Sequence, residues 1–107
     1  MANKSIPLVP IALGTLVGYQ KDSIVSKVLF QAKDLNITLF AVAKNQEFFP
    51  HITTRQAIVH IVDGNGEFLL KDKWHKFSAG DYFYMPKKLL HALKASQNFK
   101  FLLYLMP

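Results

Sequence analysis

Residues 45–91 read NQEFFPHITTRQAIVHIVDGNGEFLLKDKWHKFSAGDYFYMPKKLLH, and this stretch decides the fold. Its apolar run over residues 57–62 ends at Asp63-Gly64-Asn65-Gly66. Asp-Gly and Asn-Gly are the strongest short-range hairpin signals, because both supply residues that tolerate a positive φ. The pattern therefore predicts a strand over residues 57–62 that turns at residues 63–66 and returns as a partner strand over residues 67–70.

Short strands separated by turn signals continue on both sides of this segment. Residues 36–43 are rich in β-branched and aromatic side chains, whereas residues 23–32 fit either a strand or a short amphipathic turn. Further strands are predicted over residues 74–77, 81–85, 91–93 and 99–106. Turn signals at this frequency, without a long helical period, predict an all-β sandwich or barrel.

The composition fits one globular domain over residues 1–107. Half of the residues are hydrophobic and 19% are charged, so the chain has enough apolar surface to form a core. The net charge of +6 is of the sign found in nucleic-acid-binding proteins. The lysines are scattered, however, and no basic face carries interleaved aromatic residues, which argues against nucleic acid as a partner.

Residues 1–22 precede the first predicted strand and are expected to form an extended arm or an edge strand. Lys4 followed by the apolar residues 6–17 resembles a short secretion signal, but Pro7 and Pro10 break the helix that such a signal needs. The segment is also too short and interrupted to span a bilayer. The chain has no cysteine and hence no disulfide framework, and we expect a reducing, cytoplasmic location.

Several residues of the 45–91 stretch have the spacing of the first motif of the cupin family, which the chain resembles. That motif runs Gly, five residues, His-x-His, three or four residues, Glu, six residues, Gly. Anchored on His51 and Gly64, it places Asn45 at the first Gly, Thr53 at the second His and Ala57 at the Glu. Asn is the non-Gly residue that best tolerates a positive φ, so the turn at Asn45 is expected to survive.

The second family motif runs Gly, five residues, Pro-x-Gly, two residues, His, three residues, Asn. Gly80, Pro86 and His91 match it at the right distances. Lys88 stands at the Gly position and Ala95 at the Asn position. The resemblance covers most of the chain from about residue 23 onward and implies a cupin barrel of the jelly-roll type.

The resemblance implies that His51 and His91 are metal ligands that approach each other within about 3–6 Å. Cupins usually hold a divalent metal with three His and one Glu. Thr53 and Ala57 replace two of those four ligands, and two imidazoles alone hold a metal weakly. The expected cofactor is therefore none, or a weakly held divalent metal such as Zn, Ni, Fe or Mn.

The resemblance also implies a ligand pocket inside the barrel, although the fold does not identify the reaction. The candidate pocket residues are His51, Thr53, Ala57, Val59, His91 and Leu93. The replacement of two metal ligands by Thr53 and Ala57 favours a barrel that binds a small molecule. No residue is assigned to catalysis. The alternative is a metal-dependent cupin enzyme, of dioxygenase or isomerase type, with a reduced two-His site.

A homodimer is expected. A barrel of this size leaves sheet edges exposed, and nine Phe residues in 107 leave apolar surface to cover. Small cupins generally pair through their sheets or edge strands.

Overall fold

The computed structural model describes residues 6–107, except for the side chains of residues 49–52. The described residues form eight strands and one 3-10 helix at Leu13–Thr15. The strands are β1 (Ile24–Gln31), β2 (Asn36–Val42), β3 (Glu47–Ile52), β4 (Gln56–Leu70), β5 (Lys73–Ser78), β6 (Tyr82–Met85), β7 (Leu90–Lys94) and β8 (Phe99–Met106). The all-β barrel predicted from the turn signals is confirmed. The segment at residues 23–32, which also fitted a short turn, is strand β1.

Two antiparallel sheets share the long strand β4. Its first part, up to Gly64, pairs with β8 and β6, and β2 and β1 extend that sheet beyond β8. Its last part pairs with β5 on one side and β7 on the other, and β3 follows β7. Because one strand passes from the first sheet into the second, the two sheets curl around a common core.

The predicted hairpin at residues 63–66 is wrong, because β4 runs through this segment without reversing. The β4–β8 register shifts between Ile61 and Asp63, and Gly64 has a φ of +77°. A Cβ on Gly64 would overlap the carbonyl oxygen of Asn98 and lie 2.8 Å from the Cα of Phe99. The glycine therefore allows β4 to bend against the start of β8, and the chain reverses only at Lys71-Asp72.

Aromatic residues dominate the interior between the sheets. Phe68 and Phe99 are among the largest fully buried side chains, and Phe68 contacts Phe83 with ring centroids 4.2 Å apart. The rings of Phe40 and Phe101 stack at 4.9 Å. Aromatic pairs of this kind contribute about 0.5–1.5 kcal/mol each beyond the area they bury. The Phe-rich composition thus supplies the core that the curled sheets enclose.

Residues 6–22 cross the outer face of the first sheet. Val17 is buried there against Leu39, Ala41 and Leu102. No strand forms within residues 6–22. Among the described residues, no helix has both the length and the apolar character that crossing a membrane requires.

One turn has the backbone expected from the family spacing, and a second turn has the same conformation. Asn45 has a φ of 74°, which confirms that it replaces Gly in a left-handed turn. Lys88, at the Gly position of the second motif, has a φ of 65°. A lysine in this conformation is strained by roughly 1–2 kcal/mol relative to the right-handed region. Both residues keep the turns that place β3 and β7 side by side.

Candidate functional site

A cavity of about 220 Å³ lies between the two sheets. Of the nine described residues that line it, eight are apolar and the ninth is His91. The first sheet contributes Phe40, Val59, Met85, Phe101 and Leu103, and the second contributes Phe48, Phe68, His91 and Leu93. An apolar cavity with few polar groups is the usual form of a small-molecule site.

His91 is the polar group that the described residues contribute to this cavity. Only 8% of its surface is exposed, and its Nδ1 lies 3.1 Å from the carbonyl oxygen of Leu89. A carbonyl oxygen can only accept, so Nδ1 carries the hydrogen and donates it. In the neutral imidazole the lone pair is then on Nε2. This backbone contact orients the ring in the way that His ligands and ligand-binding His residues are commonly oriented.

His51 is paired directly with His91 in the β3–β7 register. Directly opposed residues of an antiparallel pair have Cβ atoms about 4.5–5.5 Å apart. The backbone thus has the register on which the expected approach of the two imidazoles depends. The approach itself remains a prediction, because the side chain of His51 lies outside those that the structure describes.

Two of the other predicted pocket residues, Val59 and Leu93, line the cavity. Ala57 is 1% exposed and belongs to the surrounding core, between Met85 and Leu105 in register, but it does not line the cavity. Thr53 does not line it either, and its hydroxyl oxygen accepts a hydrogen bond from the backbone N–H of Arg55 at 3.3 Å. The described residues therefore bring together Val59, His91 and Leu93.

Sequence reasoning missed most of the aromatic lining. The sequence singles out the pair Phe48-Phe49, with one ring expected at the pocket mouth and the other against a partner subunit, or both in the ordinary core. Phe48 lines the cavity, but the sequence does not single out Phe40, Phe68 or Phe101. Alternation does not reveal them, because β8 reads FKFLLYLM and carries apolar residues on both of its faces. Predicting which face is inward needs the strand pairing, and the false hairpin at residues 63–66 removed that information.

The described side chains do not fit a tightly held divalent metal. No three of the His, Asp and Glu residues whose side chains are described come close enough to bind one ion. Ala57 has no ligand atom, and the side chain of Glu47, the first residue of β3, is exposed. Gln56 is directed elsewhere, since its amide accepts from the Tyr84 hydroxyl at 2.7 Å and donates to the Pro107 carbonyl at 2.9 Å. A strong site needs three or four protein ligands.

Comparison with known families and structures gives one consistent answer. The model of the Cupin domain family matches residues 38–105 of the chain. This range includes all the described residues that line the cavity. No curated protein matches the chain at a significant level.

Solved structures with the same fold come from several bacteria. A conserved protein of unknown function from Streptococcus pyogenes is 30% identical, with a TM-score of 0.87 over 94% of this chain and 88% of that one. A cupin superfamily protein from Desulfitobacterium hafniense has the same TM-score at 20% identity, over 94% and 92% of the two chains. A Cupin 2 conserved barrel domain protein from Leptotrichia buccalis is 32% identical, with a TM-score of 0.80 over 85% of this chain and 44% of that one.

Proposed function

The chain belongs to the cupin family, and on this premise we propose that its barrel binds one small, largely apolar molecule beside His91. The observation that carries the proposal is the cavity, whose described lining consists of eight apolar residues and one oriented imidazole. Cupins host many functions, so the ligand class is argued from the cavity alone.

The cavity volume limits the ligand to about one ring. An apolar cavity of about 150 Å³ is large enough to bind benzene. At about 220 Å³ this cavity has room for a six-membered ring with one or two further heavy atoms. The four Phe rings in the wall favour an aromatic body, because offset and edge-to-face ring contacts add to simple burial. His91 is the polar group of the described wall, so the cavity favours a ligand that carries one small polar substituent such as a hydroxyl group.

Calorimetric titration with benzyl alcohol and with toluene tests this proposal. Val59→Phe fills the cavity and should abolish binding of both compounds. Ile58→Phe is the matched control, since it adds the same ring on the neighbouring residue of β4, which lies on the other face of the sheet. Thermal unfolding of each variant shows that it is folded.

His91→Leu gives a second test that does not depend on the folding of Val59→Phe. It should weaken the binding of benzyl alcohol by about tenfold and leave the binding of toluene unchanged, because only the alcohol can form a hydrogen bond with the imidazole. His75→Leu, an exposed histidine on β5, is the control. Equal binding of both compounds to the wild type and to the two cavity variants would contradict the proposal.

The second candidate function is a metal-dependent cupin enzyme with a two-His site. The observation in its favour is the direct pairing of His51 with His91 in the β3–β7 register. The absence of a third ligand among the described side chains weighs against it. The metal titration argued in the Discussion separates the two functions.

A further inference from the structure

The cavity lies toward one end of the barrel. The stacked pair Phe40 and Phe101 forms its inner limit, and beyond them Phe77 and Phe99 fill the other end with ring centroids 4.9 Å apart. His91 stands opposite Leu70, the last residue of β4, so it is at the level where the strands end. The cavity is therefore nearest to the loops at this end of the barrel.

Three loops meet at this end and are tied together by backbone hydrogen bonds. They are residues 53–55, the turn at residues 71–72 and residues 86–89. The N–H of Lys88 donates to the Thr53 carbonyl at 2.8 Å, and the N–H of Lys71 donates to the Leu90 carbonyl at 2.9 Å. These bonds fix the loops relative to β7 and hence relative to His91.

The charge of these three loops is strongly positive. They contain Arg55, Lys71, Lys87 and Lys88, which we call the basic rim, and a single carboxylate, Asp72. The fourth loop at this end, residues 32–35, adds one charge of each sign. The excess positive charge of the end is thus carried by the basic rim.

The other end of the barrel has no such excess. Its connecting segments, residues 20–23, 43–46, 79–81 and 95–98, contain two lysines and two aspartates. A general surplus of lysine on the surface would affect both ends equally. The asymmetry therefore belongs to the end that carries the cavity.

One detail distinguishes the basic rim from an ordinary solvated surface. Arg55 is the one arginine of the sequence and is half-buried, and its guanidinium is the group best shaped to hold a carboxylate.

We infer that the ligand of the cavity is a small carboxylate, with its apolar body in the cavity and its acid group at the basic rim. The inference rests on the proposed function. Burying a carboxylate among the Phe rings would cost its hydration, whereas the rim leaves it partly solvated. The acid group therefore belongs at the end of the cavity, among the cations of the basic rim.

Titration with benzoate, benzamide and benzyl alcohol tests this inference. Benzamide has the shape of benzoate without its charge, so benzoate should bind about tenfold more tightly. Raising the salt concentration should weaken the binding of benzoate and leave the binding of the two uncharged compounds unchanged. The variant Arg55→Gln/Lys88→Asn should lose most of the preference for benzoate and keep the affinity for benzyl alcohol.

The matched control is Lys21→Gln/Lys44→Gln, which removes two cations from the opposite end and changes the net charge equally. It should retain the tenfold preference. If benzoate binds no better than benzamide, or if both double variants lose the same affinity, the inference is wrong while the cavity proposal stands. If none of the three compounds binds the wild type, the proposed function itself fails, and the inference with it.

Discussion

Ala57 shows why the metal-ligand set of the family cannot be restored by a small rearrangement of this chain. It is 1% exposed and pairs with Met85 on one side and Leu105 on the other. The neighbouring residue on the strand, Gln56, has its amide engaged with Tyr84 and Pro107. A carboxylate at residue 57 would lie in apolar surroundings and would need a cation beside it to be tolerated.

Wild-type protein should bind Zn or Ni only in the micromolar range or more weakly, and only above about pH 6.5, where imidazole is deprotonated. With His51 and His91 as the expected ligands, water must fill the remaining positions. Calorimetric titration measures the affinity. Stoichiometric, tight metal binding by the wild type would contradict the small-molecule proposal and favour the metal-dependent enzyme.

The variant Thr53→His/Ala57→Glu should bind the same metals more tightly. Without metal it should be less stable than the wild type by about 3–5 kcal/mol, because it buries an unpaired charge. Added Zn should then raise its melting temperature more than that of the wild type. No gain in affinity would mean that residue 57 does not occupy the Glu position of the family motif.

At the scale of elements, local sequence predicted the strands better than their connections. The run over residues 57–62 and the return over residues 67–70 are both strand, yet they belong to one bent element. The Asp-Gly-Asn-Gly segment supplies residues that tolerate a positive φ. A hairpin turn needs such residues, and so does the bend at Gly64. Whether the chain bends or reverses depends on the contact with Asn98, far away in sequence.

Gly64→Ala should destabilise the protein by about 3 kcal/mol or more, because it adds a backbone overlap with Asn98 to the strain of a positive φ. Gly80→Ala is the matched control. Gly80 also has a positive φ, of 96°, but nothing lies within 4 Å of an added Cβ, so about 1 kcal/mol is expected. Denaturant unfolding measures both. Equal losses would show that the bend of β4 does not depend on close contact with β8.

The N-terminal arm is held on the outer face of the first sheet by a polar cluster. The Tyr19 hydroxyl donates to Asp63 at 2.6 Å, and Lys100 Nζ donates to the Gly14 carbonyl at 2.6 Å and lies 4.8 Å from the centre of the Tyr19 ring. Burial, together with the hydrogen bond to Asp63 and its negative charge, raises the pKa of Tyr19 above its ordinary value of 10.0.

Tyr19→Phe should lower the free energy of unfolding by about 1 kcal/mol at pH 7. Because the pKa of Tyr19 is raised on folding, its stabilising effect is complete below pH 10 and is lost as the pH rises toward the folded-state pKa. The difference between the wild type and Tyr19→Phe should therefore shrink above pH 10. A difference that stays constant between pH 7 and pH 11 in denaturant titrations would contradict this account.

For the whole molecule, the family and the barrel could be predicted from the sequence, whereas the lining of the cavity could be predicted only in part. The motif spacing reflects turns and strand lengths that any cupin barrel needs. It is therefore kept although two metal-ligating residues are replaced, and it is carried by His51, Gly64, Gly80, Pro86 and His91. The cavity is formed by side chains from six strands. Which of them face one another is set by pairings such as β4 with β8, and these are long-range properties of the fold.

The open edges of the sheets bear on the expected homodimer. Edge strands usually carry charges or proline that prevent pairing with another chain. Strand β1 has Lys27, β3 has Pro50, and β5 has Lys73 and Lys76, whereas β6 reads YFYM and has no charge. The arm also lies beside β1, where Ile6 and Val28 line a common groove.

We therefore predict that two copies of the chain associate through β6, where Tyr82 is 71% and Tyr84 50% exposed. Light scattering at micromolar concentration should give twice the chain mass of 12.2 kDa. Tyr82→Lys should shift the protein toward monomer, because it places a like charge on each copy at the shared edge. Val28→Lys, which adds the same charge on the other edge of the same sheet, should leave the dimer intact. A mass near that of one chain at every concentration would rule out the dimer, and dissociation by Val28→Lys alone would move the interface to β1.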